Sequence, residues 1–162
     1  MPRHKRQRPK KRTPGSGAPG THGRRQRWFY DVRQYGLITD KDGKLLILQL
    51  PADYDDAAAN TWTLPGGKLE PADDPAAGIL REIKEETGLV PTMNGPCTVA
   101  RWSTRNSKKL AIFYTCSVPT KQPEPKLSRE HQRSLWVSLA DINEFPFHRP
   151  DMVTVIKQQL KK

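Results

Sequence analysis

The chain has 162 residues, 35% of them apolar and 28% charged, which suits one domain with an adequate core. No apolar run is long enough to cross a bilayer as a helix, so a membrane role is not expected. The net charge of +11 is concentrated in residues 1–27, which hold ten Lys or Arg and no Asp or Glu; the remainder balances 18 cations against 17 anions.

The first 27 residues are rich in Pro, Gly and cations and almost free of aliphatic side chains. Such a segment buries too little surface to offset its ordering entropy, so a disordered basic tail is expected over 1–27 and a folded domain over 28–162. Blocks of like charge are often arms that touch nucleic acid by counterion release, so RNA or another nucleic acid is a candidate partner. A solubilising or targeting extension, nuclear or organellar, is the alternative. Prolines and the lack of an amphipathic pattern weigh against a mitochondrial presequence, and no apolar stretch marks a secretory signal.

Trp28 is read as the start of the ordered region. A strand follows from about Tyr30 to Thr39, then the hairpin signal Asp42-Gly43 and a second strand from Lys44 to Leu50. Residues 51–60 form an acidic loop, and Thr61 to Leu64 a short strand stopped by Pro65. Pro75 suits the first turn of a helix with Asp74 as its N-cap; the helix runs to Thr87, with Gly88 just past its end. Two strands, Thr98 to Ser103 and Leu110 to Val118, flank a turn at Asn106-Ser107-Lys108. A proline-rich loop over Lys121 to Lys126, a strand from Leu135 to Leu139 and a helix from Met152 to Leu160 complete the chain. Strands and two helices intermixed over this length indicate a layered α/β domain. Cys97 and Cys116 lie in apolar strands and are read as reduced, buried thiols of a cytoplasmic protein.

The chemistry is concentrated in residues 66–89, GGKLEPADDPAAGILREIKEETGL. Glu82, Glu85 and Glu86 stand at i, i+3 and i+4, which places three carboxylates on one helix face. Their repulsion is relieved by a divalent cation, and hard cations prefer oxygen ligands. Gly66-Gly67 lets the backbone turn sharply and approach a ligand closely. A glycine turn leading into an acidic helix suits a metal-chelated phosphate chain. The competing reading, an amphipathic surface helix packed through Ile79, Leu80, Ile83 and Leu89, leaves the glycines, Arg81 and the glutamates together unexplained.

This stretch resembles the signature of the Nudix hydrolases, G-x5-E-x7-R-E-U-x-E-E-x-G-U, where U is aliphatic. Gly67 opens it, Arg81-Glu82-Ile83 and Glu85-Glu86 fill its centre, and Gly88-Leu89 closes it, while Asp73 stands where the first glutamate belongs. The resemblance implies an α/β/α sandwich with a mixed central sheet and a magnesium-dependent hydrolase, with manganese as the alternative ion. It implies metal ligation by Glu85, Glu86 and the Gly66 carbonyl, with Glu82 as a ligand or general base and Arg81 holding the helix face through Asp73 or Glu85. Glu130, six residues before Trp136, matches the spacing of a further ligand in the mutator-type branch that cleaves nucleoside triphosphates. His131 beside it is a second candidate base, though a lone loop histidine is more often in solvent.

Glu144-Phe145-Pro146 resembles the same branch, but Arg149 stands near the place of its purine-reading asparagine. Gly67, Lys68, Phe147 and Arg149 are therefore the candidate substrate contacts. Trp62, Trp102, Tyr114 and Trp136 are read as mostly core, with one available to stack on a base. The expected substrate is a nucleoside diphosphate linked to another moiety, foremost a (d)NTP giving NMP and pyrophosphate. Removal of pyrophosphate from an RNA 5′ end and a non-catalytic nucleotide- or RNA-binding module are the alternatives. The oligomeric state is not legible.

Overall fold

A computed structural model describes residues 29–55, 57–103 and 107–161. The basic tail, Trp28 and Asn106 of the turn read at 106–108 lie outside them. In chain order the elements are β1 (Asp31–Thr39), β2 (Leu45–Gln49), β3 (Trp62–Thr63), α1 (Pro75–Thr87), β4 (Thr92–Ser103), β5 (Lys108–Ser117), β6 (Arg133–Val137), a single 3-10 turn (Ile142–Glu144) and α2 (Pro150–Leu160).

The six strands form one mixed sheet in the order β3-β2-β1-β5-β4, with β6 pairing β2. β1 and β5 run parallel over nine residue pairs, from Asp31 opposite Lys109 to Thr39 opposite Ser117, and β4 lies antiparallel on β5. β1 and β2 meet at the Asp42-Gly43 hairpin, where Gly43 takes a positive φ of 78°. The Asp40 carboxylate closes this turn by accepting from the Asp42 and Lys44 N–H groups.

Alternation along the strands divides the core into two layers. Tyr35, Leu37, Leu45, Ile47, Ala111 and Phe113 face Met152 and Ile156 of α2. Ile38, Leu46, Leu48, Tyr114 and Cys116 face Ile79 and Ile83 of α1. The sheet is thus covered on both faces, the α/β/α sandwich that the sequence implied. Helix α1 sits close to β1: a Cβ on Gly36 would lie 2.9 Å from the Ile83 Cδ1 atom. Leu89 joins this packing as expected, whereas Leu80 is half-buried and belongs to neither layer.

Helix α1 begins and ends where the sequence placed it. The Asp74 carboxylate accepts from the N–H groups of Ala76 and Ala77, and Gly88 caps the other end in the left-handed region. Helix α2 starts two residues earlier than expected, at Pro150, whose ring suits the first turn. The largest correction is β4, read as starting at Thr98 but running from Thr92. Its first half contains Asn94, Gly95 and Pro96, which read as loop, and two register shifts there accommodate them: Gly95 takes φ 117° and the ladder with β5 skips at 93/95 and 96/98. Cys116 is buried as expected, Cys97 only half so, and both thiols are free.

Candidate active site

The Gly66-Gly67 turn is locked to the side of β1. The Gln34 N–H donates to the Gly67 carbonyl, the Gly36 N–H to the Pro65 carbonyl, and the Leu69 N–H to the Val32 carbonyl. Gly66 has φ 137°, and a Cβ there would collide with the Gln34 carbonyl oxygen. A Cβ on Gly67 would lie 2.7 Å from Glu82 Oε2. Gly66 therefore allows an approach to β1 that no other residue permits, while Gly67 keeps open the space that the end of the Glu82 side chain occupies. Gln34 ties the three pieces together: its amide nitrogen donates to the Pro75 carbonyl at the start of α1, at 2.6 Å, and contacts the Tyr114 hydroxyl at 3.0 Å.

The three glutamates of α1 share a face but not an environment. Glu86 is buried and its Oε2 accepts from the Gly66 N–H at 2.7 Å. Burial pushes its carboxyl up to about 8, and Glu82, Glu130 and Glu85 push in the same direction against the Gly66 hydrogen bond. Glu82 is half-buried; desolvation raises its carboxyl while Arg81 opposes the rise. Glu85 is exposed and clasped by Arg81. The Arg81 guanidinium makes three contacts at once, to Asp73 at 2.9 Å, Glu82 at 2.9 Å and Glu85 at 3.1 Å. Arg81 thus meets both of its expected partners, Asp73 and Glu85, and Glu82 besides, so one arginine spans two members of the triplet. Asp73, although shorter than glutamate, reaches that arginine.

A loop delivers the remaining acid. The Lys126 N–H donates to the Thr87 carbonyl and the Ser128 N–H to the Glu86 carbonyl, so residues 126–128 are fastened to the end of α1. Glu130 and His131 follow directly and line the same cleft as Glu82 and Glu86. His131 is not in solvent as expected for a loop histidine. It is 7% exposed, with Nε2 3.9 Å from Glu86 Oε1, and burial drives its imidazole down to about 4. Burial favours the uncharged form of both groups, so their contact at 3.9 Å is not held as an ion pair. Only its burial against Glu86 singles out this histidine, and the sequence carried no signal for that.

The cleft holds about 710 Å³ and has two unlike ends. Two groups stand in its lining: Gly66, Gly67, Lys68, Glu82, Glu86 and Glu130 around the glycine turn, and Arg149 over the Trp102 ring. Arg81 and Glu85 stand just outside the lining. Phe147 is elsewhere than expected: its side chain is buried in the α2 layer and its backbone pairs with Trp62, so it packs the core instead of facing substrate. Trp62 and Tyr114 are core as read, while Trp102 both packs and faces the cleft.

The donors suit a hard divalent cation, being carboxylates with one free backbone turn, and the raised carboxyls of Glu82 and Glu86 mark charge that such an ion would relieve. Among the described residues no three acidic, His or Cys side chains are grouped closely enough to hold an ion, and Glu85 and Glu130 are exposed. None of the described helices is long and apolar enough to cross a membrane.

Residues 30–159 match the family model for the NUDIX domain. A CTP pyrophosphohydrolase of Escherichia coli is 30% identical over 75% of this chain and 86% of its own. An asymmetrical bis(5′-nucleosyl)-tetraphosphatase of Caenorhabditis elegans is 28% identical over 68% of this chain and 81% of its own. Among solved structures, the MutT protein of Methanosarcina mazei superposes with a TM-score of 0.69 at 28% identity, covering 82% of this chain and 96% of that one.

Proposed function

The chain belongs to the Nudix family of hydrolases, and we propose that it cleaves the phosphoanhydride of a nucleoside triphosphate, giving NMP and pyrophosphate. The observation that carries this reading is Glu86, a buried acid held by the Gly66 N–H and crowded by Glu82 and Glu130 in one cleft. A buried acid crowded by other acids is costly unless it serves a cation.

Glu82, Glu85, Glu86, Glu130 and the Gly66 carbonyl would hold a magnesium ion, or manganese in its place. When bound, the ion neutralises phosphate charge and makes water a better nucleophile. The chain's own part is positioning. The Gly66-Gly67 turn leaves room for phosphate oxygens beside α1, and Lys68 offers an ammonium at the mouth of that turn. Arg81 fixes Glu82 and Glu85 and reaches Asp73, which anchors the loop before the helix. Glu82 or His131, both in the lining, accepts the proton of the attacking water. Arg149, held over Trp102, contacts the far part of the nucleotide.

Hydrolysis of a panel of nucleoside triphosphates with magnesium tests the reading, with products identified by mass. Glu86→Gln is expected to lose far more than the roughly 10–100-fold that outer-shell partners cost. Retained turnover in that variant would sink the assigned site. A second reading, removal of pyrophosphate from an RNA 5′ end, is favoured by the ten cations of residues 1–27. The two free thiols fit a cytoplasmic location.

A further inference from the structure

The end of the cleft remote from the glutamates carries charge that cleavage of a phosphoanhydride does not use. Arg33 and Lys109 line it together with Arg149, Tyr35 and Trp102. The sheet sets these groups in a row. Lys68 pairs with Arg33 across a single bridge, and Arg33 shares a face of β1 with Asp31 two residues before it. Asp31 is in register with Lys109 of β5, and Lys109 with Trp102 of β4. The Arg149 guanidinium closes the row, 4.3 Å from the centre of the Trp102 ring. From Lys68 to Trp102 the row crosses three strand spacings, about 14 Å.

The cations are braced in place. Asp31 holds Arg33 at 3.1 Å and Lys109 at 3.9 Å, and Asp151 holds Arg149 at 3.3 Å. Three cations against these two acids leave one positive charge in excess, before Lys68 is counted. Their neighbours register it: Arg33 and Arg149 hold down the Tyr35 hydroxyl against burial, and Arg149 and Lys109 add to the burial that lowers His148. Trp102 Nε1, a donor, and His148 Nδ1 are buried with no hydrogen-bond partner among the described residues, as are Asp31 Oδ1 within the row and His131 Nδ1 beside the glutamates. Trp102 itself is only 9% exposed. A nucleoside is uncharged, and recognising it calls for aromatic and polar groups; a row of braced cations beside unpartnered polar atoms calls for an anion.

We propose that the Arg33–Lys109–Arg149 row is a second phosphate subsite, which seats a phosphate of a second nucleotide unit joined to the nucleotide whose anhydride is cleaved. The proposal rests on the reading of the carboxylate end given above and extends it to the substrate's other end. The shared chemistry is a phosphate-linked second nucleotide, whether in a 5′-triphosphorylated oligonucleotide or in a dinucleoside polyphosphate. The exposed aromatics Phe29 and Tyr30 stand where the chain enters β1, at the Asp31 end of the row.

The test compares kcat/KM for ATP, diadenosine tetraphosphate and the triphosphorylated dinucleotide pppApG, using the full chain and its Lys109→Ala and Lys109→Arg variants. Lys109→Ala should cost at least one extended substrate about tenfold more than it costs ATP, the scale of one charge-assisted hydrogen bond, and the loss should appear in KM. Lys109→Arg should restore most of it, which separates charge from packing. The extended substrate that responds identifies the source of the second phosphate. Equal losses on all three substrates, or none, overturn the subsite. If no substrate is turned over, the catalytic reading fails by itself. The subsite is then judged by binding of pppApG relative to ATP, and a preference unchanged by Lys109→Ala overturns it.

Discussion

The two ends of the cleft hold charge in opposite ways. At the glutamate end, like charges are pressed together and partly buried: Glu86 is forced up to about 8, and one arginine spans its neighbours Glu82 and Glu85 without touching it. At the far end, Arg33, Lys109 and Arg149 each have a carboxylate within 4 Å. The first arrangement is incomplete without a cation. The second is nearly satisfied as it stands and has only a small surplus to offer. In the function proposed above, the strained end would carry the chemistry and the braced end the selection, since catalysis needs interactions that strengthen in the transition state.

The sharpest way to break this contrast is at Gly66. Alanine there meets a positive φ of 137° and a backbone oxygen that cannot step aside. The cost is about 1–3 kcal/mol of backbone strain with the collision added to it. Because the Gly66 N–H also holds Glu86, turnover on every substrate should fall at least a hundredfold, on the order seen when a preorganised donor is lost. Gly67→Ala should be milder, since its Cβ meets only the end of the Glu82 side chain. Urea melts and steady-state rates on both variants decide the order. Equal rates in Gly66→Ala and wild type would remove the strained end from catalysis.

The next effect in size is that of Arg81. Its guanidinium is exposed, and solvent screening leaves exposed ion pairs little weight in stability. Arg81→Gln should therefore leave the melting midpoint almost unchanged yet lower kcat by about 10–100-fold, the cost of losing a group that orients metal ligands. Arg81→Lys should recover little, because one ammonium cannot span Asp73, Glu82 and Glu85 together. A fall in stability matching the fall in rate would instead make the arginine a structural clasp.

The glutamate end was legible in the sequence because its geometry is local. Asp74, Pro75 and Gly88 bound a helix by capping chemistry, and a helix converts i, i+3, i+4 spacing directly into a shared face. The far end was not legible, since Arg33, Trp102, Lys109 and Arg149 are neighbours only through parallel pairing of β1 with β5 and the docking of β4. The early half of β4 was missed for a related reason: Asn94, Gly95 and Pro96 are turn formers locally, and only the tertiary ladder with β5 makes them strand. His131 and Phe147 erred in opposite directions, one read as exposed and found buried, the other read as a contact and found in the core. Burial at a loop depends on what is fastened above it, here residues 126–128 on the end of α1.

The smallest expected effect lies at the braced end and concerns acid. His148 is partly buried beside Arg149 and Lys109, and burial first, then those cations, lower its imidazole below the ordinary 6.5. A histidine whose folded value is depressed binds its proton less readily than in the unfolded chain. The stability it permits is therefore fully present above about pH 6.5 and is lost as pH falls toward the folded value. His148→Asn keeps a polar side chain of similar reach but cannot titrate. Its urea midpoint should drop less than that of wild type between about pH 7.5 and pH 5, with His131 common to both proteins. An identical drop would mean that the cations of the row do not reach His148, and the surplus positive charge assigned to that end would lose one of its supports.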